Sequence, residues 1–244
     1  MMIEEVTGIV VNENNYGEKS KIINIISKEK GIIGLMVKGG RSIKSPLRSS
    51  TTKLVYGKFN IYYKQDKIST LKEVSVLDNF SNIKKDIELI SYASYIVDLA
   101  FQVMKHSNDE IVFDNLISGL KKINDGYNPI VITNILELKY LDNLGVLPNL
   151  DSCIECGSKD DIVTLSSSKG GFLCRNCRQV EPIVSSKAIK LIRMYYYVDI
   201  NKIEKISLNN DLVNEINMFL DDYYERYTGL YLKSKKFLQN LQNL

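Results

Sequence analysis

Histidine is nearly absent: His106 is the only one in 244 residues. A serine–histidine dyad would need it beside a positioned nucleophile, and the sequence offers none. His106 reads instead as a residue at a helix end, where a cation or polar cap is favourable. H-E-x-x-H, G-x-S-x-G and paired-carboxylate patterns are missing too, which argues against common metalloprotease and serine-hydrolase chemistry. Asp160-Asp161 and Asp221-Asp222 read as solvated loop or face positions rather than acid–base pairs. No secretory leader is visible, since MMIEEVTGIV carries Glu4 and Glu5 and lacks an apolar h-region. No apolar run approaches the roughly 20 residues of a membrane-spanning helix. The expectation is a cytoplasmic protein with no membrane partner, in a compartment that disfavours structural disulfides. Alanine occurs only at Ala93, Ala100 and Ala188. A bias of that kind toward Lys, Asn and Ile fits an AT-rich genome and discounts the raw lysine count.

Distribution of charge says more than its total. The net charge is only +3, with 44% hydrophobic and 25% charged residues, which is ordinary for a globular protein. Lys38 to Lys72, however, holds nine basic residues against one acid, Asp66. That segment is +8, so the remainder sums to −5. A basic patch on one part of a nearly neutral chain is the electrostatic footprint expected of nucleic-acid binding.

Residues 1–79 read as short strands. EEVTGIVVNE, KIINIIS, GIIGLMVK, KLVYGKFNIYY and ISTLKEVSVL are rich in Ile, Val, Tyr and Thr and are separated by Gly, Asn and Lys/Asp breaks. Five such strands without a covering helix suggest a small barrel. The OB-fold leads, being a five-stranded barrel that often binds oligonucleotides, although other small barrels share the count. From Asn79 the period changes to three and four: Ile83, Ile87, Ile90, Ser94, Val97, Phe101 and Met104 mark an amphipathic helix. Ser107 to Glu110 has a capping-box pattern opening a second helix through about Asn124. Asn128-Pro129 opens a third, with Gly145 just past its end. Residues 185–198, 211–228 and the tail SKKFLQNLQNL read as helical. The expected fold is α+β: an N-terminal five-stranded OB-fold barrel followed by an all-α helical domain carrying a four-cysteine zinc-module insertion. The expected domains are 1–79, then 80–150 with 183–244, with the cysteine module at 151–182 inserted between those two helical parts.

All four cysteines lie in CIECGSKDDIVTLSSSKGGFLCRNC. Cys153, Cys156, Cys174 and Cys177 form C-x2-C-x17-C-x2-C, the spacing of four-cysteine zinc sites. Each C-x-x-C turn aims two thiolates at one point, and two turns complete a tetrahedron around one Zn2+. A shell of four thiolates leaves no open position for water, so the zinc would be structural. Two symmetric pairs do not match a thioredoxin-like redox motif. Four metal-free thiols and an iron–sulfur centre are the remaining alternatives.

GLMVKGGRS has glycines at P-loop spacing, but Gly40 stands where the lysine belongs and Arg41 where Ser or Thr belongs. The same residues suit a glycine-rich barrel loop whose Lys38, Arg41, Lys44 and Arg48 face phosphates; the alternative is a solvated basic loop. In KFNIYYK, Phe59 and Tyr63 share the Ile61 face and are expected in the core. Tyr62 points the other way and is the candidate for stacking on a base. Tyr195 to Tyr197 and Tyr223, Tyr224 and Tyr227 lie at helical spacing and are expected to be buried in the bundle.

Several of these stretches resemble one family. Tyr16-Gly-Glu18 leading into IINIIS, the VKGGRSIKSPLRS loop, LKYLDNLGVLPNLDSCIECG and the closing GGFLCRNC are together similar to the bacterial recombination mediator RecO. Ser20 departs from the pattern, standing where many relatives have an acidic residue. Members differ in whether they keep the four cysteines, and this chain keeps all four. The resemblance implies a non-enzymatic protein of DNA repair that binds single- and double-stranded DNA and anneals complementary strands. It also implies partners: RecR, with which the family helps RecA displace the single-stranded-DNA-binding protein (SSB), and the acidic C-terminal tail of SSB, met by the helical domain. A bacterial, nucleoid-associated location follows from the same resemblance. Without it, an RNA-binding or translation-associated OB-fold module with a structural zinc ranks close behind, and a metalloenzyme using the cysteine cluster stands third.

Overall fold

The computed structural model describes residues 3–242. Alternation of branched apolar and polar residues makes the first part all strand. β1 (Ile3–Tyr16), β2 (Ser20–Ser27), β3 (Gly31–Val37), β4 (Tyr56–Tyr62) and β5 (Ser69–Asp78) close into a barrel in the order β1-β2-β3-β5-β4. β1 is long enough to serve two neighbours: its first half pairs with β4 and its second half with β2, and a bulge between Val10 and Asn12 bends it. β3 and β5 meet as the parallel pair, Leu35 opposite Ser69 and Met36 opposite Thr70. This is the OB-fold arrangement. The inward parity supplies the core, with Val6, Val10, Ile23, Ile25, Leu35, Phe59 and Ile61 all buried. Between β3 and β4 the chain makes the basic loop and a single helical turn, α1 (Leu47–Ser50), whose Leu47 packs on that core.

Two strand expectations shift. β4 begins at Tyr56 rather than Lys53, because Leu54 adopts a left-handed conformation and turns the chain. Tyr63 lies just beyond β4; it packs against the core but stays half-buried, with Lys30 Nζ 4.7 Å from its ring centroid.

The helices are α2 (Ile87–His106), α3 (Glu110–Asn124), α4 (Pro129–Asn143), α5 (Ser186–Tyr197), α6 (Asn210–Tyr227) and α7 (Lys233–Gln242), with the hairpin β6 (Ile162–Ser166) and β7 (Gly171–Cys174) between α4 and α5. Asp86 caps α2 by accepting from the amides of Glu88 and Leu89 at 2.8 and 3.2 Å, and Ile83–Lys85 form a separate 3-10 turn. The buried face of α2 is broader than the expected stripe. It runs through Tyr92, Ala93, Ile96, Val97, Ala100 and Val103, whereas Ile87 is exposed and Phe101 half-buried. α2 also corrects the expectation that no apolar run reaches membrane-spanning length. By length and composition it does, and 56% of that window is buried inside the protein. The expected capping box at Ser107 is replaced: Asp109 accepts from the Ile111 amide at 3.0 Å, while Ser107 closes α2 through its own amide. Asn128 caps α4 with Pro129 in the first turn, and Gly145 takes a left-handed conformation past its end.

The chain divides into two compact units. One contains the barrel, α2, α3 and α7; the other is Asp125–Lys233, with α4, the cysteine hairpin, α5 and α6. In the first unit the barrel rests on its helices through Lys28 and Asp114 at 2.9 Å, Lys53 and Asp98 at 3.6 Å, and the rings of Tyr56 and Phe113. Gly31, with φ +68°, makes room for Asn108: a Cβ there would lie 2.1 Å from its Oδ1.

Candidate nucleic-acid interface and metal centre

Where β3 ends, glycine and serine break the strand pattern and the chain leaves the sheet as a loop. Lys38, Arg41, Lys44 and Arg48 are all exposed. Among the described residues none of the four forms an ion pair, whereas two other cations of the basic segment do: Lys53 with Asp98 and Lys58 with Glu5. The loop is tied at its start to the β1–β2 turn and to the first residue of β2. The Arg41 amide donates to Lys19 O at 2.9 Å, its Nη1 donates to Gly17 O at 2.9 Å, and the Gly39 amide donates to Ser20 Oγ at 3.3 Å. Arg41 therefore braces the loop with part of its guanidinium and keeps its remaining donors in solvent.

Tyr62 is half-buried, with a parity opposite to Phe59 and Ile61. The register sets it in one cross-strand row with Thr70 and Met36 on the outer face. Lys38 follows two residues beyond Met36. Tyr62 and the basic loop thus flank the same end of the barrel, across the short parallel pairing of β3 and β5. The β4–β5 loop leaves from the Tyr62 end of that row, and its Lys64 and Lys67 are exposed as well. Exposed cations beside an outward aromatic can hold a polyanion by its phosphates and offer a ring to a base.

The cysteine hairpin belongs to the other unit. Four backbone bonds shape its knuckles: Cys153 N to Ser158 O and Gly157 N to Cys153 O, both 2.8 Å, then Cys177 N and Arg178 N to Cys174 O at 3.2 and 3.0 Å. They bring all four sulfurs within 4.8 Å of one another, with Cys156 and Cys174 at 3.8 Å. A tetrahedron with metal–sulfur bonds of about 2.3 Å has edges of about 3.8 Å, whereas a disulfide would need sulfurs about 2.05 Å apart. Burial opposes ionisation of Cys153, but the amides of Cys174, Cys156 and Glu155 outweigh it and lower its pKa to about 6. Hydrogen bonds with Cys156 and Cys174, followed by burial, push Cys177 up to about 12. Four thiols so close cannot all ionise without a cation among them, and the donor set fits a soft metal ion.

A second set of residues, not singled out from sequence, seats this hairpin. Asn149 bridges to Gly171 and accepts the Phe172 amide at 2.9 Å. Arg193 of α5 donates to the carbonyls of Leu150 and Asp151 at 2.9 and 3.2 Å, and Tyr197 OH donates to Asp151 Oδ1 at 2.6 Å. Only the Asn-Leu-Asp run before the first cysteine hinted at a turn there. Lys21 on β2 is also absent from the sequence-derived site. Its parity with Ile23 and Ile25 was the available signal, since a lysine in phase with core residues points inward. The tyrosines divide: Tyr195 and Tyr223 are buried as expected, whereas Tyr197 is 60% exposed. His106 is the exposed last residue of α2.

Residues 1–80 match the family model described as recombination protein O N terminal, and residues 84–236 match recombination protein O C terminal. The chain is 33% identical to the DNA repair protein RecO of Bacillus velezensis and 32% identical to that of Bacillus subtilis. Each comparison covers all of this chain and 96% of the relative. It is 34% identical to the DNA repair protein RecO of Bacillus cytotoxicus over 98% of both chains. Two family models spanning almost the whole chain, together with relatives of matching length, show that this protein belongs to the RecO family of recombination proteins.

Proposed function

We propose that this protein is a recombination mediator in bacterial DNA repair, acting in the cytosol without catalysing a reaction. It binds single- and double-stranded DNA and anneals complementary strands. With RecR it promotes loading of RecA onto DNA coated by SSB, whose C-terminal tail docks on the helical domain. The observation that carries the reading is an OB barrel presenting, between β3 and β4, four exposed cations that form no ion pair among the described residues. Lys38, Arg41, Lys44 and Arg48 hold phosphates, and Tyr62 stacks on a base. Annealing needs no catalytic group: cations spread along two polyanions lower their mutual repulsion, an effect that falls steeply with salt.

Residues 1–79 act as the nucleic-acid-binding domain, and 80–150 with 183–244 as the helical domain. Residues 151–182 act as an inserted module in which Cys153, Cys156, Cys174 and Cys177 hold one structural Zn2+. These are functional segments; the compact units are drawn differently, with α2, α3 and α7 beside the barrel.

The test is fluorescence-followed annealing of complementary strands precoated with SSB, comparing the native chain with Lys44→Glu/Arg48→Glu. Annealing by the native chain, with at least a tenfold loss in the variant, is expected. Failure of the native protein to anneal, with tighter binding to RNA than to DNA oligomers, would instead favour an RNA-binding module.

A further inference from the structure

From Ser20 to Ile25, β2 alternates between half-buried and buried positions. Ile23 and Ile25 face the barrel interior and are fully buried, and two residues earlier, in the same phase, stands Lys21 at 4% exposure. A lysine this buried is rare unless its ammonium is paired. Its Nζ lies 2.5 Å from Glu13 Oε2 on β1 and donates to the carbonyl of Thr51 at 3.0 Å. Thr51 is the fully buried C-cap of α1, and its hydroxyl donates to Leu47 O. Leu47 in turn packs on the barrel core. A cation at the last carbonyls of a helix satisfies groups that the helix itself leaves open. Lys21 thus joins β1, β2 and α1 at one point inside the barrel mouth. α1 is the far end of the basic loop and carries Arg48; the near end is tied to the β1–β2 turn by Arg41 and to the first residue of β2 by Gly39.

We propose that Lys21 is a positioning residue, and that its clasp with Glu13 and Thr51 holds α1 on the barrel so that the basic loop meets DNA already ordered. This rests on the DNA-binding reading of that loop. The ammonium is enclosed and neutralised by Glu13, so it contacts no phosphate itself. A loop ordered before binding does not pay its ordering entropy on binding.

Lys21→Met keeps the length of the side chain and removes the charge. It is expected to weaken binding of an oligo(dT) strand about tenfold, the equivalent of one charge-assisted hydrogen bond. The slope of log affinity against log salt should stay unchanged, because the same phosphates are neutralised. Amide hydrogen exchange across residues 38–51 of the free protein should quicken. Arg48→Glu, by contrast, should flatten the slope. A slope reduced by about 0.7 in Lys21→Met would make Lys21 a phosphate contact and overturn the proposal. Unchanged affinity would overturn it too, whatever the exchange rates. Should Lys21→Met fail to fold, Glu13→Gln probes the same clasp from its 41%-exposed partner with the same readouts. Failure of the underlying reading is distinct: Lys44→Glu/Arg48→Glu would then bind DNA like the native chain.

Discussion

Gly171 shows how one atom governs the seating of the cysteine hairpin. A Cβ there would lie 2.3 Å from Asn149 O and 2.9 Å from Asn149 N, and backbone atoms cannot swing aside as a side-chain tip can. Gly171→Ala is therefore expected to destabilise the protein by about 1–3 kcal/mol, measured by urea unfolding. An unchanged midpoint would mean that Asn149 is free to move. That Asn149 occupies the place a side chain at position 171 would take was not readable in the sequence. Arg41 is a similar case. Its exposed loop position was legible, but its bond to Gly17 depends on a turn more than twenty residues away.

Helix starts were partly legible. Asn128-Pro129 caps α4 as its sequence predicts, because both the cap and the proline act within one turn. Ser107 and Asp109 are both competent caps only two residues apart, and the end of α2 at His106 decided between them by engaging the Ser107 amide. At the head of α2, Asp86 satisfies two amides that would otherwise be unpaired. Asp86→Ala should cost about 1 kcal/mol and lower the melting temperature in calorimetry; no change would show that the preceding 3-10 turn supplies the start. The stripe on α2 was misplaced because a helix packed on several sides buries Tyr92 and Ala93 as well as the residues of one face.

At the scale of the whole molecule, each compact unit holds one candidate site: the basic loop with the barrel, and the thiols with α4, α5 and α6. The chain leaves the first unit after Asn124 and re-enters it at Ser234. There α7 returns to α2, with Lys235 Nζ 4.7 Å from the centre of the Tyr95 ring. For the second unit we expect one zinc per chain by elemental analysis. Chelation, or Cys174→Ser, should release it and lower thermal stability, since metal binding that exists only in the folded state adds to folding free energy. Metal-free protein with the native melting temperature would leave the thiols without a structural metal.

What the sequence by itself determined is local: strand and helix periods, the barrel-then-bundle order, the thiol donor set of two C-x-x-C turns, and a loop dense in cations. Backbone geometry acts over a few residues, so spacing alone carries these features. Tertiary structure decided which cations of the basic segment form ion pairs, that Lys21 turns inward to hold α1, and that Asn149 and Arg193 seat the hairpin. Those outcomes depend on groups twenty or more residues apart meeting within about 3 Å, the range over which hydrogen bonds and ion pairs form, and no sequence period encodes that approach.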